Sequence, residues 1–414
     1  MRTAKQLWYR LRQWKYLGLC LLVLVTLIMH FSIIMHPGEP IFDEKFYVPD
    51  ARYVLRGEGT DRIEHPPLGK VLIASGMFLF GDNPLGWRFL SVISGAICLI
   101  LFYLICRRLD VSAQSSFLAA ALLAFENLSF VQSGVAMLDV FSLVLMLASF
   151  LLYLKGRYLF SGALAGLSTL AKLSGALTLL VIILHWLFTG RKHWKRLMVF
   201  AASAPASFFL LLPLFDFFIW RRFTNPIGEI KTMLNVTVDA TYSLYYTEIM
   251  SRPWEWILQP KMIAYWKNPH YLGTISPTIW IAIVPAACFL IYRSIKGNRA
   301  AIFSLAWFAG TYLIWIPVSL ILDRQSYVYY FYPTVGSVCI GLALMLSCVS
   351  EAGHDRLRRI LQLLIPCYLL VHLAFFIYLA PVSPWLKVAS SIAAYVFARY
   401  LPGSRVIPSA KESA

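Results

Sequence analysis

Charged residues are scarce in this 414-residue chain, since only 14% of its side chains are Asp, Glu, Lys or Arg. Hydrophobic residues make up 59% of the sequence and aromatic residues 15%. A water-soluble protein of this length needs more polar surface to cover its core, and a disordered chain is poorer in aromatic residues. The composition excludes both classes and indicates an integral membrane protein.

Closely spaced cysteine pairs are also lacking, and acidic residues are few. The seven cysteines are scattered through apolar stretches without a Cys-x-x-Cys pair, which indicates neither a zinc site nor a disulfide framework. The chain has only 20 Asp and Glu residues but 37 Lys and Arg residues, which gives a formal net charge of +17. The basic residues stand in short clusters between long apolar runs, as topology signals do, and this pattern does not suggest nucleic acid.

The apolar runs predict the path of the chain through the membrane. The run at 17–35 follows five basic residues and is too long for a secretory signal, so we expect a first transmembrane helix with a cytoplasmic amino terminus. Requiring basic cytoplasmic turns predicts about 11 transmembrane helices. They are expected at 17–35, 87–106, 113–132, 140–154, 160–171, 173–188, 197–218, 278–292, 300–322, 328–349 and 360–380.

The expected fold class is an all-α integral membrane protein, with residues 1–414 forming one polytopic domain. The short run at 68–80 is predicted to lie in the interface as an amphipathic or re-entrant helix, within a first outer loop at 36–86. A long outer loop is expected at 219–275, and a connection of that length usually has structure and function. A short twelfth span at 386–400 is left open.

Carboxylates and cations collect at the outer ends of the predicted helices. The carboxylates are Asp43, Glu44, Glu64 and Asp139, and the cations are Lys45, Arg52, Lys70, Arg88, Lys172 and Arg324. For any one of them, a solvated carboxylate or a lipid-facing anchor is the alternative to a functional role. Lys172 lies between two apolar runs, where its ammonium needs an anionic partner. Together the two signs of charge suggest a site for a phosphate-bearing lipid and a nucleophile that is deprotonated there.

The segment HPPLGK is more specific than any single charge. His65 precedes two prolines, which hold it extended and suit the start of a helix that runs on from Leu68. A turn alone would explain the prolines. It would not explain why Glu64, His65 and Lys70 gather within one or two turns of it.

Seven segments, in order, resemble motifs of the protein O-mannosyltransferases, which use dolichyl-phosphate-mannose and belong to the GT-C superfamily of glycosyltransferases. They cover most of the chain from 42 to about 340, and seven ordered matches make coincidence improbable. The segments are FDEKFYVPDARYVL, EHPPLGKVLIA, GDNPLGWRFLSVISG, AMLDVFSL, GALAGLSTLAKLSG, SRPWEWILQP and DRQSYVYYFYP.

The resemblance implies a GT-C fold and an inverting transfer of a sugar, expected to be mannose, from a polyprenyl phosphate to protein Ser or Thr hydroxyls. Asp43 would be the general base, Glu44 would orient the acceptor or the base, and Asp139 would position the acceptor or the sugar. The leaving phosphate needs cations at its oxygens. The remaining residues assigned to substrate binding are Glu64, His65, Lys70, Lys172, Trp254 and Arg324.

The expected partners are a polyprenyl-phosphate-linked sugar, an acceptor protein or peptide, and membrane lipids, without nucleic acid. The expected location is the plasma membrane, with the active site on the outer face. No cofactor is firmly implied. A divalent cation is left open, because the related lipid A aminoarabinose transferases make Glu64 a metal ligand by analogy.

The sequence departs from the family at one place. Members usually carry an Arg five residues before the second-loop Asp, where this chain has Gly134. A lipid or cell-wall glycan acceptor therefore stays open. The chain also lacks room for the extra soluble domain of eukaryotic members, and it looks like a compact prokaryotic member. An alternative of another class is a lipid or solute transporter, for which Asp216 within an apolar run is the main argument.

Overall fold

The computed structural model describes residues 16–190, 193–244, 246–267, 270–351 and 355–382. The chain is mostly helical throughout this part. The basic amino terminus and the open twelfth span at 386–400 lie outside the described residues.

Ten helices build the first half of the described chain. They are α1 Leu17–Ile33, α2 Glu44–Arg56, α3 Pro67–Phe80, α4 Pro84–Arg108, α5 Ala113–Ala124, α6 Asn127–Gly134, α7 Leu138–Leu154, α8 Tyr158–Ala171, α9 Leu177–Phe188 and α10 Trp194–Trp220. A short 3-10 helix, Leu173–Ala176, joins α8 to α9.

The second half begins with the predicted long outer loop, which is largely ordered. Its elements are α11 Pro226–Asp239, α12 Glu255–Leu258 and the antiparallel strands β1 Met262–Trp266 and β2 Tyr271–Thr274. The hairpin corrects the expectation of an all-α chain, and its β-branched and aromatic residues favour a strand. The remaining helices are α13 Pro277–Ile295, α14 Arg299–Phe308, α15 Trp315–Leu322, α16 Tyr332–Glu351 and α17 Asp355–Leu379.

Every predicted transmembrane stretch coincides with helix, but the helices differ in length. Five are long and apolar enough to cross a membrane among the described residues, with α14 and α15 counted as one through a π-helical turn. The predicted span at 113–132 is instead broken, because α5 and α6 meet at an angle of 62°. Glu126 causes the break, since its carboxylate accepts hydrogen bonds from the backbone N–H groups of Ser129 at 2.7 Å and Ser276 at 2.8 Å.

Close packing of α8 against α10 depends on two glycines. A Cβ at Gly162 would lie 1.9 Å from the Ser203 hydroxyl oxygen, and a Cβ at Gly166 would lie 2.4 Å from the Ala204 carbonyl oxygen. Small residues four apart allow the backbones of membrane helices to approach in this way. This packing places the end of α8, and with it Lys172, beside the start of α7 with Asp139.

Candidate active site

A cavity of about 370 Å³ brings together most of the residues that the sequence assigns to the site. Its charged end is formed by side chains from four separate segments, and its remaining wall is largely apolar. The charged and titratable lining residues are Glu64, His65, Asp139, Lys172 and Arg324. The apolar wall includes Leu177, Leu234, Ile314, Trp315, Val318 and Leu322.

Lys172 and Asp139 form a buried ion pair at this cavity. The ammonium nitrogen of Lys172 lies 2.7 and 2.8 Å from the two carboxylate oxygens of Asp139. The same nitrogen lies 5.4 Å from the ring centre of Tyr329 and 5.5 Å from that of Tyr330, within cation–π range. Lys172 leaves the helical conformation between α8 and the 3-10 helix. The anionic partner predicted for Lys172 is thus confirmed.

Asp43 stands just before α2, half-buried and beside the same ion pair. Burial raises the pKa of its carboxyl to about 6, with Asp139 adding to the rise and Lys172 opposing it. The Tyr329 hydroxyl lies 3.5 Å from a carboxylate oxygen of Asp43. A carboxylate with a pKa near the working pH is a better general base than an ordinary aspartate, because it holds a proton more tightly.

Glu44 follows Asp43 but points away from the cavity. Its carboxylate is fully buried and accepts two hydrogen bonds from the Arg88 guanidinium, both at 2.8 Å. It also accepts from the backbone N–H groups of Ile41 at 3.0 Å and Ala136 at 2.8 Å. With these contacts Glu44 fixes the turn that presents Asp43. The expectation that Glu44 orients the acceptor or the base stays a prediction, and its contacts with the protein favour the base.

Glu64 and the HPPLGK segment that follows it form one end of the cavity. Pro67 starts α3 as predicted, and Glu64 and His65 precede it at the cavity wall. The His65 ring nitrogen Nε2 lies 3.1 Å from the Tyr47 hydroxyl. Burial, followed by the charge of Lys172, lowers the pKa of His65 well below its ordinary value. A neutral imidazole at this place serves as a hydrogen-bonding group and not as a cation.

Lys70 does not reach the cavity, contrary to the prediction. Its ammonium group is buried beneath α2, where it donates to the Thr60 hydroxyl at 2.8 Å and lies 3.7 Å from the Asp50 carboxylate. It also donates to the carbonyl oxygen of Arg62. These contacts tie the first outer loop to α3. Lys70 is placed one helical turn below the start of α3, so its motif neighbours point elsewhere.

Arg324 does reach the cavity, whereas Trp254 does not line it. Arg324 donates to the carbonyl oxygen of Ala240 at 3.2 Å and to that of Thr237, at the end of α11. Trp254 is half-buried at the start of α12. The aromatic groups beside the Lys172 ammonium are Tyr329 and Tyr330, both in the motif DRQSYVYYFYP, and the sequence analysis marked neither as a site residue.

Gly134, the departure from the family pattern, lies away from the cavity. A Cβ at this glycine would lie 3.2 Å from ring nitrogen Nδ1 of His30. The His30 ring in turn stacks on Phe130, with ring centres 4.0 Å apart. The space that a longer side chain would need is therefore occupied by an imidazole from α1.

The chain is similar to known proteins in sequence and in fold. The family model described as dolichyl-phosphate-mannose-protein mannosyltransferase matches residues 64–220. The polyprenol-phosphate-mannose protein mannosyltransferase of Mycolicibacterium smegmatis is 25% identical, over 89% of each chain. The enzyme of the same name from Mycobacterium tuberculosis is also 25% identical, over 92% of this chain and 90% of its own.

Solved structures share the fold. The Saccharomyces cerevisiae protein O-mannosyltransferase Pmt1–Pmt2 complex, bound to its sugar donor, matches with a TM-score of 0.77 at 12% identity, over 94% of this chain and 92% of that chain. ArnT from Cupriavidus metallidurans matches with a TM-score of 0.54 at 16% identity, over 92% and 72%. The chain therefore shares its fold with these two proteins. In sequence, the chain is similar to the protein mannosyltransferases of these mycobacteria.

Proposed function

We propose that this protein transfers a mannosyl group from a polyprenyl phosphate to Ser or Thr hydroxyls of a protein acceptor. The observation that carries the proposal is the Lys172–Asp139 pair at the charged end of an otherwise apolar cavity. The half-buried carboxyl of Asp43 is near enough for both charges to act on its pKa. The family and its mycobacterial relatives supply the donor and acceptor classes.

The proposed reaction is a single inverting displacement. Asp43 accepts the proton of the acceptor hydroxyl as its oxygen forms a bond to the anomeric carbon. The bond from that carbon to the phosphate oxygen breaks, and polyprenyl phosphate leaves with the electron pair. Lys172 and Arg324 are the cavity cations that meet the charge on the leaving phosphate. Glu64, His65 and Asp139 remain for the sugar hydroxyls.

The apolar wall suits the hydrocarbon part of the donor. Leucine, isoleucine and valine side chains from α9, α11 and α15 line it next to the charged end. A lipid phosphate has this same division between an anionic head and an apolar chain. The described residues contain no group of three or more His, Cys, Asp or Glu side chains suited to a metal ion, so the proposed mechanism assigns no step to a divalent cation.

We infer that the site lies at the outer membrane face, as the basic residues indicate. Arg88 contacts Glu44 near the start of α4, whereas Arg107 and Arg108 end the same helix. At 1.5 Å per residue these ends are roughly 30 Å apart, about the thickness of the hydrocarbon core. A basic pair marks the cytoplasmic side, which puts Asp43 on the opposite side.

The same assignment supports a plasma-membrane protein with about 11 spans and a cytoplasmic amino terminus. Counting α3 as a further span would put Arg107 and Arg108, at the end of α4, on the outer side, so α3 is left out of the count. Its first half is buried and its last residues, Phe78 and Leu79, are exposed. This is compatible with its predicted place in the interface as an amphipathic or re-entrant helix.

Transfer from radiolabelled polyprenyl-phosphate-mannose to a Ser/Thr peptide tests the proposal. The purified full-length protein is compared with its Asp43→Asn variant, and a peptide with Ala in place of Ser and Thr is the acceptor control. We expect wild-type transfer, no transfer to the Ala peptide, and a loss of about 100-fold or more in the variant with donor binding retained. A folded wild type that binds the donor but labels lipid and no peptide would contradict the proposed acceptor. Near-normal turnover by Asp43→Asn would remove Asp43 as the base.

A further inference from the structure

Tyr329 connects the two halves of the candidate site. It belongs to a short 3-10 helix, Val328–Phe331, and its side chain is buried. The hydroxyl lies 3.5 Å from Asp43, and the face of the ring lies toward the Lys172 ammonium, 5.4 Å from the ring centre. One side chain therefore touches both the proposed base and the proposed phosphate cation.

The hydroxyl of Tyr329 differs in its partner from the hydroxyls of three other tyrosines of the described chain. Those of Tyr271, Tyr312 and Tyr368 donate to backbone carbonyl oxygens, at 2.7, 3.1 and 2.9 Å. Such bonds satisfy a buried donor and need no further explanation. Tyr329 is directed at a carboxylate, and its distance of 3.5 Å is at the long limit of a hydrogen bond. Hydrogen bonds of this kind are often long before substrate binds and shorten in the complex.

Neighbouring rings fix the position of the Tyr329 ring. Tyr327 stacks on it, with ring centres 5.3 Å apart and planes 11° apart, and Phe42 meets it edge-on at 5.7 Å. Phe42 is the residue before Asp43, and its own ring stacks on Tyr265 at 4.1 Å. The hydroxyl thus has little freedom to turn away from Asp43.

We propose that Tyr329 is a positioning residue, whose hydroxyl orients the Asp43 carboxylate toward the acceptor and whose ring supports the Lys172 ammonium that meets the leaving phosphate. The inference rests on the proposed function of Asp43 as the base. The hydroxyl and the ring of Tyr329 have separate roles in this proposal, so substitutions can remove them one at a time.

The Tyr329→Phe variant removes the hydroxyl and keeps the ring. A hydroxyl that donates to a carboxylate favours its ionised form, so its loss raises the pKa of Asp43. We expect kcat to fall about tenfold and the acidic limb of the pH–rate profile to move up by roughly half to one pH unit. The KM for polyprenyl-phosphate-mannose should stay within about twofold, because the ring still faces Lys172.

Tyr368→Phe is the control, since it also removes one hydrogen-bonded tyrosine hydroxyl, from a half-buried residue of α17 outside the site. It should leave kcat and the pH profile unchanged. Tyr329→Leu removes the ring as well, and we expect it to raise the donor KM about fivefold above that of Tyr329→Phe.

The outcomes separate this inference from the proposed function. A wild type that transfers no mannose overturns both. A wild type that transfers, an inactive Asp43→Asn and a Tyr329→Phe variant with an unmoved pH profile overturn the positioning role alone, whatever its kcat. Equal donor KM values for the Phe and Leu variants overturn the contribution of the ring to Lys172.

Discussion

The Glu44 carboxylate and the Arg88 guanidinium form a fully buried pair with two hydrogen bonds of 2.8 Å. Arg88 also donates to the carbonyl oxygens of Ile34 at 3.0 Å and Pro37 at 2.9 Å. The pair therefore joins the end of α1, the turn before α2 and the start of α4. Asp43 owes its position to this arrangement, because it is adjacent to Glu44 in the chain.

Removing one member of that pair should destabilise the protein. Glu44→Ala leaves the Arg88 charge buried without a counter-charge, which costs about 3–5 kcal/mol in comparable buried pairs. We expect faster thermal inactivation in detergent, followed by size-exclusion chromatography, and loss of transfer through misplacement of Asp43. The Glu44→Gln/Arg88→Met double variant should recover part of the stability. Full thermal stability of Glu44→Ala would contradict the anchoring role.

The pH dependence of transfer should reveal the raised pKa of Asp43. The base must be ionised, so activity is full well above pH 6 and falls as the pH drops through about 6. At pH 5 about one tenth of the carboxyl groups would be ionised. The measurement is kcat/KM for the acceptor peptide from pH 4.5 to 8, beside thermal stability at each pH. An acidic limb near pH 4, the ordinary range of an aspartate, would count against the buried base.

The Lys172–Asp139 pair allows stability and donor binding to be separated. Lys172→Met leaves Asp139 buried and unpaired, so it should lose both stability and donor affinity. The Lys172→Met/Asp139→Asn double variant removes both charges and should regain stability. Donor affinity should remain at least about 30-fold below wild type, with the acceptor KM less affected. A double variant that binds the donor normally would exclude Lys172 as the phosphate cation.

Substitutions at Arg324 and Lys70 compare the role of a cation that lines the cavity with that of a cation buried away from it. Arg324→Met should raise the donor KM about tenfold or more, because Arg324 lines the cavity. Lys70→Met should lower thermal stability, because its partners Thr60 and Asp50 lose a buried donor. Its donor KM should stay within about twofold of wild type. The reverse pattern would return Lys70 to the phosphate site.

Much of the architecture could be predicted from the sequence because membrane helices leave a local signal. Each apolar run of the expected spans is helical, and the proline pair of HPPLGK begins α3 as expected. Local patterning missed the break at Glu126, because the carboxylate stabilises it through Ser276, which lies 150 residues away. It also missed the hairpin, whose pairing depends on two short strands in a long loop.

The sequence by itself determined the class of protein, since its composition requires a membrane and its ordered motifs indicate the family. It also named Asp43, Asp139, Lys172 and Arg324, which the structure brings to one place. Only the tertiary structure decided that Lys70 is buried elsewhere, that Glu44 is held by Arg88, and that Tyr329 meets Asp43 across 286 positions of sequence. The physical reason is that hydrophobic patterning reports which face of a helix is buried, whereas the partners of a polar side chain depend on which distant helices pack together.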